Sequence, residues 1–454
     1  MMEIKKRELD ARIYFAMKAA SLGYSVCFGK KASIYYYRNF LAKGLVFFKS
    51  FGTRNTVLID KIKSAGHKIL GWDEEGMTYV PEEYNDKRLY RKNFVKMELF
   101  FSWGDVDTDI IKKYHPDQLK KVFKVGNSRV DVLKSPFNKF YWSEAEKIKE
   151  KYGDFILFPT VFTKLLTSTV YKLDIEKIAE AYYDTDSPSL LVVKRMKNQQ
   201  NEILKVINEF FKRFSKECPN LKLIVRPHPA ENLEYWFKNL KEYKNIEVIF
   251  DDQNTASWIA ASKLLVSTNC TTAIEAFFLG KKSINFLPFK DERVEYELPK
   301  ICGLVVRDIN SLMGMVKNTE QNQEISDFNN LNIDHKIISK WLSNAFSHCS
   351  VEKTISIIDK NNEISSFFKK SFKDKFCNKF FFIVFSVIKK MRFLYHSLLS
   401  KKKIPVVNMD MLIDQKFPNL KKNEIEHRVN FFSQFFNNKK FIVKELYPGV
   451  FSID

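Results

Sequence analysis

The segment Arg226-Pro227-His228-Pro229-Ala230-Glu231 follows an apolar run, residues 221–225, that reads as a β-strand. Its two prolines fix the backbone in an extended or turn form and remove two N–H donors. They hold His228 outside the sheet, at the strand's carboxyl end. An imidazole placed there can donate to a phosphate oxygen, and the Arg226 guanidinium can add charge-assisted hydrogen bonds. The competing reading is a rigid strand-to-helix turn with a surface histidine.

Forty residues on lies Ser267-Thr268-Asn269-Cys270-Thr271-Thr272-Ala273-Ile274-Glu275-Ala276. The pattern predicts a strand ending at Ser267 and a helix beginning near Thr271. Hydroxyls at a helix start sit where unpaired N–H groups and the helix dipole favour an anion. Glu275 follows one turn later, where a carboxylate suits a ribose diol. Ordinary N-capping by Thr and Asn is the alternative. Ser267, Thr268, Asn269, Thr271, Thr272 and Glu275 therefore join Arg226 and His228 as candidate nucleotide-binding residues.

A third group is Asp73-Glu74-Glu75-Gly76, after a predicted strand over 67–72. Carboxylates at a strand end suit general-base or nucleophilic work on a sugar, so Asp73, Glu74 and Glu75 are the candidate catalytic residues. A solvated acidic turn is the alternative. The sequence holds no Walker A run, no GxGxxG, no GxSxG and no HExxH. Its seven histidines and six cysteines show no metal-ligand spacing, and no metal is expected at the site.

These residues need strands that end together. Residues 1–150 alternate short apolar runs (24–28, 67–72, 97–103, 122–125) with helical patterns such as 56–65, closed by Gly66. A charged helix over 143–152 leads into a second block. There strands are expected at 155–158, 221–225, 246–250, 264–267 and 283–286. Helices are expected at 201–217, 256–262 and 271–279. This rhythm predicts an α/β protein with two Rossmann-type, doubly wound domains, 1–150 and 151–330, facing a cleft. Residues 331–454 form a third, helical region, with helices over 334–348 and 351–358.

Within that region, residues 367–403 carry eleven Lys or Arg and one acidic residue, Asp374, interleaved with phenylalanines. The whole chain has 454 residues and a formal net charge of +21, which points to an anionic partner. The longest strongly apolar run near the C-terminus, 380–388, is too short to span a membrane, which needs about 20 residues. The segment is expected to bind an anionic inner-leaflet surface peripherally, through cations and bulky apolar side chains together. Scattered cysteines and a charged start without a signal-peptide core point to the cytoplasm. The basic stretch matches no nucleic-acid motif, so no nucleic-acid partner is expected.

Taken together, the motifs resemble the bacterial surface carbohydrate (polysaccharide) biosynthesis proteins, a group related to glycosyltransferases of the two-Rossmann GT-B architecture. The resemblance rests on Gly71 to Gly76, Phe101-Ser102-Trp103-Gly104, Val125 to Leu133, Arg226 to Pro229 with Trp236, Trp258, and Asn269 to Ala276. Lys416-Phe417-Pro418 and Glu424-Ile425 extend it to the closing segment. The histidine with the hydroxyl-rich helix start is similar to sialyltransferases and Kdo transferases that use CMP-activated sugars. The Gly126 to Asp131 stretch is similar to CDP-glycerol glycerophosphotransferases and UDP-GlcNAc 2-epimerases. It is read as a hinge in which Gly126 and Asn127 take unusual backbone angles and Arg129 pairs with Asp131. The resemblance implies a metal-independent glycosyltransferase of capsule or lipopolysaccharide synthesis. It would move a sugar, Kdo or a related acid, from a CMP-linked donor to a glycan or lipid-linked acceptor. A CDP-glycerol or ribitol-type phosphotransferase, a sugar-nucleotide epimerase, and a non-catalytic membrane-bound scaffold are the alternatives.

Overall fold

The computed structural model describes the chain except residues 76–83, 86–87, 167–174, 181–186, 332, 347–348, 365–366 and 368–415. The basic, Phe-rich segment 367–403 therefore lies outside the described residues, Phe367 apart. Helix α1 (Lys5–Ser21) opens the chain and is followed by strand β1 (Val26–Gly29). Strands β2 (Leu45–Phe48), β3 (Lys68–Trp72), β4 (Leu99–Ser102) and β5 (Val122–Lys124) then form a parallel sheet in simple succession.

The second sheet has six parallel strands: β6 (Phe155–Pro159), β7 (Lys222–Arg226), β8 (Ile246–Val248), β9 (Leu264–Ser267), β10 (Ser283–Phe286) and β11 (Leu304–Val306). Their spatial order is β11-β10-β9-β6-β7-β8. Counted from β6, that is the doubly wound dinucleotide-fold order, with its topological switch point between β6 and β9. Every residue of β6, β9 and β10 is buried, as strands covered by helices on both faces must be. The protein is thus α/β, with two Rossmann-like parallel-sheet units.

The run at 24–28 was expected within the first parallel sheet. Instead β1 pairs antiparallel with β13 (Val450–Ile453), which pairs with β12 (Val443–Tyr447). This third sheet joins the two ends of the chain. Gly29 is needed there, because a Cβ would collide with the Gly449 carbonyl oxygen. Two helices also depart from the sequence reading. The helix expected over 201–217 runs from Pro188 to Glu217, with proline at its permissive first position. The one expected over 334–348 spans His335–Trp341 only.

One hydrophobic cluster runs from Leu70 and Phe101 of the first sheet to Leu157 and Leu265 of the second. Helix α1 lies inside it, with Leu9, Ile13, Ala16 and Met17 buried. The helix has polar residues all round, and its buried charges are paired in three directions. Glu8 meets Lys49 at 3.0 Å and Arg12 pairs with Glu74, both toward the first sheet. Lys5 meets Asp252 of the second unit at 3.6 Å and Glu424 of the C-terminal region at 2.8 Å. Asp10, 2% exposed, accepts from Tyr141 Oη (3.1 Å), Asn254 Nδ2 (2.5 Å) and Arg428 Nε (2.5 Å).

Breaking a buried ion pair leaves its partner charged and dry, at a cost of about 3–5 kcal/mol. Asp10→Ala is expected to lower stability by roughly that amount, read as a lower urea midpoint in equilibrium unfolding. A change below about 1 kcal/mol would show that Asp10 does not tie the units together.

Candidate functional site

Between α1 and the carboxyl ends of the second sheet's strands lies an open cleft. Its second-domain wall comes from the carboxyl ends of three strands: Pro159 and Thr160 after β6, Arg226 to Pro229 after β7, and Cys270, Thr271, Thr272 and Glu275 after β9. This is the switch point of the six-stranded sheet, where ligands of open α/β sheets bind. The opposite wall is α1, through Lys6, Arg7 and Ala11, together with Arg129, Val132 and Leu133.

His228 is half-buried. Its Nδ1 accepts from the Ala230 N–H at 3.1 Å, so Nε2 carries the proton of the neutral ring and is the available donor. Burial lowers the imidazole pKa to about 3, helped by the charges of Arg7 and Lys416 and opposed by Glu75. Its own N–H donates to Thr160 Oγ1 at 3.2 Å. Thr160 in turn donates to the fully buried carboxylate of Glu231. Glu231 also accepts from Phe162 N–H (2.6 Å) and Trp236 Nε1 (2.8 Å), and burial raises its pKa to about 7. The Pro-His-Pro turn is therefore pinned from below by a carboxyl group with three donors.

The helix after β9 spans Thr272–Phe278, only seven residues, so its dipole is short and the hydroxyls matter more. Thr272 Oγ1 is buried without a regular hydrogen bond, beside the weakly bonding Cys270 thiol. Glu275 lines the cleft but accepts from Arg129 Nη2 at 2.7 Å. Arg226 also lines it, stacked over Trp258 at 4.6 Å and paired with Asp251 at 2.9 Å.

Ser267, Thr268 and Asn269 are not among the cleft's lining residues. Ser267 and Thr268 are 0% and 1% exposed, their hydroxyls unpaired among the described residues. Asn269 takes a positive φ of 50° and spends its amide on the Val294 carbonyl (2.8 Å) and Tyr296 N–H (2.7 Å). It shapes the loop instead of facing a ligand.

The acidic loop differs most from expectation. Asp73, 2% exposed, forms a bidentate pair with Arg88, at 2.9 Å to Nε and 2.6 Å to Nη2. Glu74, 1% exposed, pairs with Arg12. Neither lines the cleft; each carboxylate is taken up by an arginine in the interior. Glu75 does not line the cleft either: its side chain is 39% exposed, it meets Arg88 at 3.0 Å, and its charge opposes the lowering of the His228 pKa. Gly76 lies outside the described residues.

The hinge reading also changes. Gly126 has φ +87°, and a Cβ there would collide with the Ser343 carbonyl oxygen. Asn127 has an ordinary extended backbone and caps the helix Ser128–Leu133 by accepting from the Arg129 N–H. Arg129 and Asp131 do not pair: Arg129 holds Glu275, while Asp131 accepts from Ser350 Oγ and the Val351 N–H at 3.1 Å each. Alternate residues of that short helix face different elements, and each takes the partner its side supplies.

Sequence reasoning missed Lys6, Arg7 and Thr160. Thr160 was findable as the residue after the sheet's first strand. The two cations were not, because nothing local places α1 against the second sheet.

No protein-family model matches the chain, and no curated protein matches it. Among solved structures it is similar to the wall teichoic acid polymerase TagF, in a variant form soaked with CDPG. That match has 12% identity over 68% of each chain and a TM-score of 0.40. It is also similar to UDP-GlcNAc 2-epimerase of Methanocaldococcus jannaschii in complex with UDP-GlcNAc and UDP. There the identity is 12% over 78% of this chain and 82% of that one, with a TM-score of 0.43. A third match is the accessory secretory protein 1, 2 and 3 structure of Streptococcus pneumoniae: 10% identity, 75% and 56% coverage, TM-score 0.36. At these values the likenesses carry no argument about chemistry.

The depressed pKa of His228 has a signed consequence. Unfolding restores an ordinary value near 6.5, so below it the unfolded chain binds the proton first. The native state keeps its full advantage above about pH 6.5 and loses it as pH falls toward 3. Wild type is expected to lose stability more steeply than His228→Gln between about pH 6.5 and 4, by one proton. Urea unfolding across that range checks it, and equal slopes would refute it.

Proposed function

We propose that this protein is a transferase of bacterial surface-glycan synthesis that takes its donor as a cytidine nucleotide, CMP-linked or CDP-linked, and passes the activated group to a glycan acceptor. The observation that carries the reading is the meeting of His228 Nε2–H, Thr272 and Glu275 in one cleft at the switch point of a six-stranded Rossmann sheet. A neutral imidazole donor and a hydroxyl held only weakly by the Cys270 thiol suit a phosphate oxygen, and they stabilise the charge that builds on the leaving phosphate. Glu75 is the acidic-loop carboxylate with solvent access and electrostatic reach to His228, so it takes the role of base or nucleophile. Asp73 and Glu74 keep Arg88 and Arg12 in place. Residues 367–403 hold the enzyme at an anionic membrane surface, where lipid-linked acceptors reside. The support for this is their composition. Among the described residues no helix is long and apolar enough to cross a membrane.

Thermal-shift titration with CMP, CDP, UDP and GDP tests the donor class: selective binding raises the unfolding temperature by mass action. Stabilisation by cytidine nucleotides is expected. His228→Ala should weaken their binding by about 1.5–3 kcal/mol, the worth of one hydrogen bond to a charged group. Unchanged affinity in the variant, or a response to no nucleotide, would sink the reading. Glu75→Gln should retain nucleotide binding and lose turnover.

Flotation with anionic and neutral liposomes tests the membrane role. Binding to anionic vesicles at low salt, lost on deletion of 367–403, is the expected result. Indifference to lipid charge would refute it.

A further inference from the structure

Among the described residues, four cations but one carboxylate line the cleft: Lys6, Arg7, Arg129 and Arg226 against Glu275. Two of the four already have close partners, Arg129 in Glu275 and Arg226 in Asp251. Arg7 is different. Its Nε and Nη2 are shielded from solvent and make no hydrogen bond, and its carboxylate neighbours stand off at 3.6 Å (Glu8) and 3.7 Å (Glu75). Lys6, 8% exposed, lies over the Phe250 ring at 3.8 Å and has no ion pair among the described residues. Burial and the Arg226 charge lower its pKa to about 8.

The placement of these cations runs against helix electrostatics. Lys5, Lys6 and Arg7 occupy the first turn of α1, where the dipole is positive and acidic residues are preferred. Lys5 is compensated by Asp252 and Glu424. On the cleft side Lys6 has no such partner and Arg7 only distant ones. Local rules broken without a full compensation concentrate at functional sites.

We propose that Arg7, supported by Lys6, forms a second anion subsite across the cleft from His228, and that the donor carries two separate negative groups. One is the phosphate at His228. The other is either the second phosphate of a nucleoside diphosphate or the carboxylate of an acidic sugar on a nucleoside monophosphate. A guanidinium with unused N–H groups matches either oxyanion in bidentate fashion. The inference rests on the nucleotide reading above for the first phosphate but not for the existence of the Arg7 subsite.

Calorimetric titration of the full-length protein with CMP, CDP, CMP-N-acetylneuraminate and inorganic pyrophosphate separates the two. Wild type is expected to bind CDP or the CMP-linked sugar acid about tenfold or more tightly than CMP, the scale of a charge-assisted bond. In Arg7→Ala that ratio falls toward one, and Arg7→Lys restores part of it. A gain confined to CDP names the second phosphate, and a gain confined to the sugar acid names the carboxylate. If wild type binds CMP without such a gain, or Arg7→Ala keeps the gain, the subsite is overturned and the nucleotide reading stands. If no cytidine nucleotide binds but pyrophosphate binds in an Arg7-dependent way, the subsite stands and the nucleotide reading falls. If neither binds, both fall. The ratio is a readout that a merely structural arginine would not move.

Discussion

Asp10 is the point on which the architecture turns. A carboxylate 2% exposed must be matched by donors, and its three come from three parts of the chain: Tyr141, Asn254 and Arg428. Around it α1 extends Lys5, Glu8 and Arg12 to further partners. Buried ion pairs gain little net energy against desolvation, but they tolerate only one arrangement of their members. Apolar burial provides adhesion between the sheets, and these pairs fix the register in which they adhere. The width of the cleft follows from where α1 is held.

The chemistry of the cleft inherits that geometry. The second sheet contributes a wall that it could build alone, since the ends of β6, β7 and β9 meet at its switch point. The wall is rigid by construction: Glu231 gathers Thr160, Phe162 and Trp236 beneath the His228 turn. The other wall is borrowed. Arg7 and Lys6 belong to a helix that starts the chain, and they reach the cleft only because Asp10 and Lys5 dock that helix on the second unit. A strongly cationic cleft is the result, with one neutral imidazole set among guanidinium groups.

The acidic loop shows how burial sorts chemically similar side chains. Asp73, Glu74 and Glu75 are neighbours in sequence, yet the chain bends at Glu74, with the Glu75 N–H bonding back to Asp73, and the side chains meet different surroundings. Two meet arginines in the dry interior and become fixtures, while Glu75, its side chain 39% exposed, shares Arg88 with Asp73 at the edge of the water. In the same way Asn269 and Thr272, three residues apart, divide into a loop brace and a lining hydroxyl.

Much of this was legible in the sequence, because the relevant forces are local. Alternation of short apolar runs with helical periods marked β3 to β10, and Pro-His-Pro marked the strand end that carries His228. Gly126 signalled its positive φ, which glycine adopts without a steric penalty. The short runs that became β2 and β11, and the hairpin β12–β13, lacked a distinctive period. Pairing between distant residues was beyond reach. Val26 bonds across to Ile453, and Arg12 finds Glu74, only once the chain has folded back on itself. The sequence by itself determined which residues could bind a phosphate or ionise, because those properties reside in single side chains and their immediate neighbours. Tertiary structure decided which of them are free to do so, because a charge is spent or available according to the partner and the water that the fold leaves beside it.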